Sequence, residues 1–139
     1  MEPITDRTEI YLADTLGELG VFYRAIGIAF VGGSLVGHGG HNPLEAARLE
    51  CAVLFGPHME NFEESVRVLT EAGAATQVAD AKRLEDELAL LLDDEKRAAR
   101  QAAAGLQLTK EGEAVRQALL DKIAPYLDAD AADDTYASA

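Results

Sequence analysis

Short apolar runs and longer amphipathic stretches take turns along this chain. Glu9-Ile10-Tyr11-Leu12-Ala13 predicts a short strand, and Asp14-Thr15 a cap for a helix from about Leu16 to Arg24. Gly27 to Val31 predicts a second strand. A Gly-rich loop follows, then a helix from Pro43 to about Leu49. Cys51-Ala52-Val53-Leu54-Phe55 is an unbroken apolar run, the pattern of a strand buried on both faces of a parallel sheet. Gly56-Pro57-His58 turns the chain into a helix ending at Gly73, with Phe62, Val66 and Leu69 on one face. Ala75 to Val78 is a weaker strand, and Asp80 caps a helix carrying Leu84, Leu88 and Leu91. Two further helical stretches are expected, with a break near Gly105 or Gly112. The last has Val115, Leu119 and Ile123 at helical spacing and stops before Pro125. From Asp128 to Ala139 the residues are acidic and small and predict a disordered tail.

Repeated strand–helix units imply an α/β fold: a Rossmann-like parallel sheet flanked by helices, with extra C-terminal helices. Ligands of such sheets bind beyond the carboxyl ends of the strands. Residues 14–18, 32–42 and 56–61 are the loops expected there. The first strand lies close to residue 1, no Gly-rich loop precedes it, and no fifth strand follows. This organisation predicts the second half of a larger architecture.

Composition narrows the function. The chain has 139 residues and a formal net charge of −13. That charge argues against nucleic acid as a partner and against electrostatic docking on anionic lipid. No apolar run approaches the roughly 18 residues of a membrane span, and Met1-Glu2-Pro3-Ile4-Thr5-Asp6 is not a signal peptide. A soluble, cytoplasmic chain is expected. The single Cys51 reads as a buried, reduced thiol.

Chemistry concentrates in residues 32–45, Gly-Gly-Ser-Leu-Val-Gly-His-Gly-Gly-His-Asn-Pro-Leu-Glu. Glycines let a backbone approach a ligand and turn its N–H groups inward. Strand, Gly-rich loop and helix start together make a site for an anion, most often a phosphate. Neither the dinucleotide G-x-G-x-x-G pattern nor the P-loop pattern is present. Contacts to phosphate or sugar could come from Gly33, Ser34, Gly40, His41 and His58. His38, His41 and His58 lack a zinc-like spacing and no Cys joins them, so no metal is expected. Asp128-Ala129-Asp130 resembles a metal signature but sits in acidic low complexity and reads as solvated charge.

Two motifs admit two readings each. Asn42-Pro43-Leu44-Glu45 can be a capping box, with Asn42 accepting from the N–H of residue 45 and Glu45 reaching back. It can equally aim Glu45 at ribose hydroxyls, with the Asn42 amide on a phosphate. Thr15-Leu16-Gly17-Glu18 also fits a capping box. However, Gly in a first helical turn costs about 1 kcal/mol relative to Ala. Close approach of a ligand or of the neighbouring loop would explain it better.

Four ordered motifs together resemble one family. They are Tyr11-Leu12-Ala13-Asp14-Thr15-Leu16-Gly17-Glu18-Leu19, Ala29-Phe30-Val31-Gly32-Gly33-Ser34-Leu35, Gly39-Gly40-His41-Asn42-Pro43-Leu44-Glu45, and Gly56-Pro57-His58 followed by Asn61-Phe62. From about Pro3 to Leu127 the chain is similar to the C-terminal half of 3-deoxy-D-manno-octulosonic acid (Kdo) transferases. The resemblance implies a GT-B architecture, two Rossmann-like domains facing a cleft, of which residues 1–127 would be the CMP-sugar-binding one, truncated at its N-terminal end. It implies metal-free, inverting transfer of Kdo from CMP-Kdo to a lipid A precursor, in lipopolysaccharide synthesis at the cytoplasmic face of the inner membrane of Gram-negative bacteria. Leu16, Gly17, Glu18, Asn42, Pro43, Leu44 and Glu45 would then contact CMP, with Leu16 replacing the Met usual there. No cofactor is implied beyond the donor CMP-Kdo. The general base, acceptor site and membrane-associating segment of the family lie in its N-terminal domain, whose motifs are not in this sequence. The isolated chain is therefore expected to be inactive. The rival reading is a non-catalytic nucleotide- or anion-binding module of flavodoxin-like build.

Overall fold

The computed structural model describes residues 5–130, with side chains to residue 124. Three parallel strands form one sheet in the order β1-β2-β3: β1 Ile28–Phe30, β2 Ala52–Phe55 and β3 Ala75–Gln77. Helix α1 (Leu19–Ala25) leads into β1, α2 (Leu44–Arg48) joins β1 to β2, and α3 (Glu63–Glu71) joins β2 to β3. Helices α4 (Ala81–Asp93) and α5 (Glu95–Asp130) follow.

Strand register sorts the core into two layers. Ala29 stands opposite Val53, and Val53 opposite Ala75. These three face a cluster with Ala46 and Ala47 of α2 and Leu69 of α3, against which Tyr23 of α1, Phe62, Val66 and Leu108 pack. One residue on, Ile28, Ala52 and Leu54 point to the other face, where Leu84, Leu91 and Ala98 cover them. All four β2 residues are buried, as an unbroken apolar run requires. Gln101 of α5 reaches this strand and donates from Nε2 to the Val53 carbonyl at 3.0 Å.

Helix ends follow local chemistry. The Asp80 carboxylate accepts from the Arg83 N–H at 2.8 Å, the expected cap of α4. Gly73 takes φ +68° after α3; its N–H reaches the Thr70 carbonyl, and the Ala74 N–H reaches that of Leu69. This pair of bonds is a Schellman closure, which the absence of a Cβ permits.

Five expectations are corrected. Residues 9–13 form no strand. Ile10 and Leu12 are 88% and 79% exposed, and an extended segment without a ladder neighbour has little to hold it. Helix α1 begins at Leu19, not Leu16, because Gly17 sits at φ +86°, where no right-handed helix passes. The helical stretches after Asp94 are one 36-residue helix without a break. Gly105 serves contact: a Cβ there would lie 3.1 Å from the Ala47 Cβ. Nothing lies within 4 Å of such an atom at Gly112, and one internal glycine costs too little to stop a long helix. Pro125 does not stop it either. The carbonyl it leaves unpaired belongs to Asp121, an exposed residue whose polar groups water can reach. The helix passes Asp128, where the tail was expected, and residues 131–139 lie outside the described residues.

The two glycines of α5 separate packing from propensity. Gly112→Ala should slow amide exchange across residues 109–116 by about fivefold, the equivalent of ~1 kcal/mol of helix propensity. Gly105→Ala should give no such gain, because the added methyl crowds Ala47. Faster exchange in the Gly112 variant would mean that the chain bends there in solution.

Candidate functional site

Two of the three expected loops form one body at the carboxyl end of the sheet, and Ser34 joins them. It is fully buried. Its hydroxyl donates to the Val31 carbonyl at 2.5 Å and accepts the Gly56 N–H at 2.8 Å, while its own carbonyl accepts the His58 N–H at 2.9 Å. Gly56 is a matter of space: a Cβ there would collide with the Ser34 carbonyl oxygen. Gly39 and Gly40 combine both reasons for glycine. Their φ angles are +87° and +68°. Asn61 covers the first and Met59 the second, closely enough that neither position has room for a Cβ.

This packing assigns the Gly-rich segment a definite part. Ser34, Gly39 and Gly40 are buried struts between the loops; Gly33 is half-buried against the His38 ring. His41 is exposed, and its ring meets that of His38 edge-on at 6.0 Å. His58 Nδ1 lies 3.1 Å from Glu60 Oε1. The Glu60 carboxyl is held below the usual glutamate range, first by a backbone hydrogen bond at Glu60 and then by His58. Among the described residues no three of His, Cys, Asp or Glu gather as a metal site.

Beyond the two loops, Asn42 and Glu45 are exposed while Pro43 is buried between them. The Asn42 Oδ1 accepts the Leu44 N–H at 3.1 Å, so Asn42 caps α2 through the second N–H after it, not through that of residue 45. Pro43 is buried and its carbonyl starts the helix, accepting from Ala47. Glu45 is exposed and does not reach back; among the described residues it has no hydrogen-bond partner. The capping-box reading of Asn42 with Glu45 is thereby overturned, and the carboxylate is free for something else. Its charge is felt next door: Tyr23 titrates above its usual range, mainly through burial and then through Glu45 and Cys51.

The third loop is not brought to the other two. Leu16 is fully exposed, and nothing lies within 4 Å of a Cβ placed on Gly17. Gly17 is needed for its backbone angle, and the neighbouring loop does not approach it. Glu18 is held by the hydroxyl of Thr15, which donates to its carboxylate; neither side chain caps α1.

A groove of about 580 Å³ opens beside Asn42 and Glu45. Arg48 and Arg116 border it, and the sequence reading missed both. Arg48 could have been found, since it follows Glu45 by three and shares its helix face. Arg116 lies on α5, and only the three-dimensional packing brings it near. Arg48 also pairs with Glu113 of α5 at 3.1 Å. With both side chains about half exposed, that pair adds little stability.

A three-stranded parallel sheet with helices on both faces, and loops gathered at the carboxyl end, defines a Rossmann-like fold. No family model matches the chain. Similar proteins do. A Haemophilus influenzae 3-deoxy-D-manno-octulosonic acid transferase is 40% identical over 124 residues, covering 88% of this chain and 29% of the relative. A Bordetella pertussis 3-deoxy-D-manno-octulosonic acid transferase is 38% identical, covering 80% of the chain and 26% of the relative. The crystal structure of the C-terminal CMP-Kdo binding domain of WaaA from Acinetobacter baumannii superposes with a TM-score of 0.69 at 32% identity, over 73% of this chain and 53% of that one. The class is the C-terminal domain of GT-B glycosyltransferases. Within it, the chain is a homologue of the Kdo transferases, and it spans less than a third of the length of these full-length relatives.

The loop lock predicts a large and specific cost. Gly56→Ala should destabilise the chain by about 1–3 kcal/mol or more through overpacking. Ser34→Ala should cost about 1–3 kcal/mol by stranding the buried Gly56 N–H. Chemical denaturation measures both, and wild-type stability for either would show that the loops are not locked together.

Proposed function

We propose that this chain is the donor-binding half of a Kdo transferase and holds the CMP part of CMP-Kdo at residues 42–45. One observation supports this most: the exposed, unpartnered Glu45 carboxylate beside the buttressed Gly-rich loop. It is a ready acceptor for vicinal ribose hydroxyls. The Asn42 Nδ2 and the first-turn N–H groups of α2 beyond Leu44 could meet a phosphate. With only five residues, α2 adds little macrodipole, so discrete N–H groups carry that contact. His41 and His58, neither of them fully buried, add side-chain donors to phosphate or sugar oxygens.

In the complete enzyme these groups would stabilise the negative charge that grows on CMP as the Kdo–phosphate bond breaks. A glutamate of the N-terminal domain would deprotonate the acceptor hydroxyl of a lipid A precursor, giving inversion at the anomeric carbon. The reaction would take place at the cytoplasmic face of the inner membrane. This chain would reach that surface through its other half, since among the described residues no helix is long and apolar enough to cross a membrane.

The domain alone should bind CMP weakly but in preference to AMP and UMP, as titration calorimetry would record. An equal response to all nucleotides would favour a generic anion site. Glu45→Gln should leave melting nearly unchanged and weaken CMP at least tenfold. That factor corresponds to a lost charge-assisted hydrogen bond of about 1.5–3 kcal/mol. A large melting drop with intact affinity would return Glu45 to a structural part.

The isolated chain should not release CMP from CMP-Kdo in an acceptor-dependent way. In-line positioning of acceptor and donor supplies roughly 7–11 kcal/mol of such a barrier, and the residues for it are expected in the other half. Acceptor-dependent turnover by the chain alone would sink this reading. Turnover only after mixing with a separately made N-terminal domain of a related enzyme would support it.

A further inference from the structure

We propose that the groove between α2 and α5 is the subsite for the acidic sugar of the donor, with the Arg116 guanidinium holding the sugar carboxylate and Gly112 leaving it room. The inference rests on the nucleotide reading of residues 42–45.

The groove begins at the nucleotide residues. Asn42 and Glu45 line it, and one face of α5 closes it. That face carries Thr109, Gly112, Glu113 and Arg116, spaced as i, i+3, i+4 and i+7 on a helix. The two lining residues of fixed positive charge are Arg48 and Arg116. Arg48 is already matched by Glu113 at 3.1 Å. The Arg116 side chain has no hydrogen bond or ion pair among the described residues, so its charge is uncompensated. Gly112 points to the same use. A glycine inside a helix costs about 1 kcal/mol relative to Ala, and a close contact can explain it, as Ala47 does at Gly105. No atom lies within 4 Å of a Cβ placed on Gly112, so nothing in the packing of the protein against itself calls for it. On the groove wall, between Thr109 and Arg116, the missing side chain makes space for a ligand.

The donor supplies the occupant. An octulosonic acid carries a carboxylate on its anomeric carbon, the carbon that also holds the CMP phosphate. With ribose at Glu45 and phosphate at Asn42, the sugar starts at a residue that lines the groove. None of residues 42–45 offers a cation to its carboxylate. Arg116 does, and a planar guanidinium matches a carboxylate with two parallel hydrogen bonds. The C–H faces of the sugar can rest on Leu44, Val68 and Leu108, the apolar part of the lining. The Thr109 hydroxyl gives its proton to the Gly105 or Leu106 carbonyl, at 3.0 and 2.9 Å, and keeps lone pairs for a sugar hydroxyl. A volume of about 580 Å³ lies in the range of small-ligand sites.

The test is titration of CMP and of CMP-Kdo into the parental chain and into Arg116→Met, Arg116→Lys and Gly112→Leu. All three substitutions fall on exposed helix positions and keep or raise helix propensity, so the fold survives them, as circular dichroism will record. The parental chain should bind CMP-Kdo about tenfold more tightly than CMP, the order of a charge-assisted hydrogen bond. Arg116→Met and Gly112→Leu should each remove most of that margin and leave CMP affinity alone, while Arg116→Lys keeps part of it. A margin untouched by Arg116→Met and Gly112→Leu, with Glu45→Gln still weakening both ligands, overturns the subsite and leaves residues 42–45 standing. CMP weakened as much as CMP-Kdo by Arg116→Met would place the guanidinium on the nucleotide and also overturns the assignment. Equal affinity of the parental chain for the two ligands does the same. Absence of binding by either ligand overturns both readings.

Discussion

Everything at the carboxyl end of this sheet depends on the hydrogen bonds of Ser34. A side chain with one donor and two lone pairs is placed where three backbone groups need partners, and it serves two of them while its own carbonyl serves the third. The bonds are buried, so leaving any of them unmade would carry the full desolvation cost. They hold the loop after β1 against the loop after β2. Gly39, Gly40 and Gly56 are consequences of that approach, each occupying a place where a β-carbon has no room. Glycine richness here is therefore mainly an internal fit. What reaches solvent is the short segment beyond it, Asn42 with Glu45 and the neighbouring His41.

Local pattern carried much of the fold into view. The β2 run, the Asp80 cap, the Gly73 stop and the Phe62, Val66 and Leu69 face are each fixed by residues within a few positions, and all appear as expected. The misses involve partners far away in sequence. Residues 9–13 read as a strand because composition says so, yet a strand exists only in a ladder. Gly105 read as a break because the contact that explains it, Ala47, is more than fifty residues earlier. Gly17 fits a capping box by spacing, but its backbone angle of +86° keeps it out of the helix, which spacing does not reveal.

The site was legible in a similar proportion. Ordered motifs single out residues 42–45 and the two loops that the structure packs together behind them. Spacing alone could not decide whether Glu45 served the helix or a ligand, because both uses need the same residue at the same position. In the structure the helix does not use it. Arg116 had no local signal at all; it borders the groove only because α5 lies along α2.

That long helix has a mechanical consequence. Its first half is pinned by Gln101 to the central strand and by Gly105 to α2. From Lys110 to Ala124 every residue is exposed, Val115 and Leu119 included at 71% and 59%. At 1.5 Å per residue the part beyond Gly105 is a rod of about 37 Å. A tilt of about 5° at the fulcrum would swing its tip by about 3 Å. The fulcrum rests on Ala47, in the same short helix that begins beside Asn42. Small adjustments of α2 are thus geared to large displacements at the far end of the molecule.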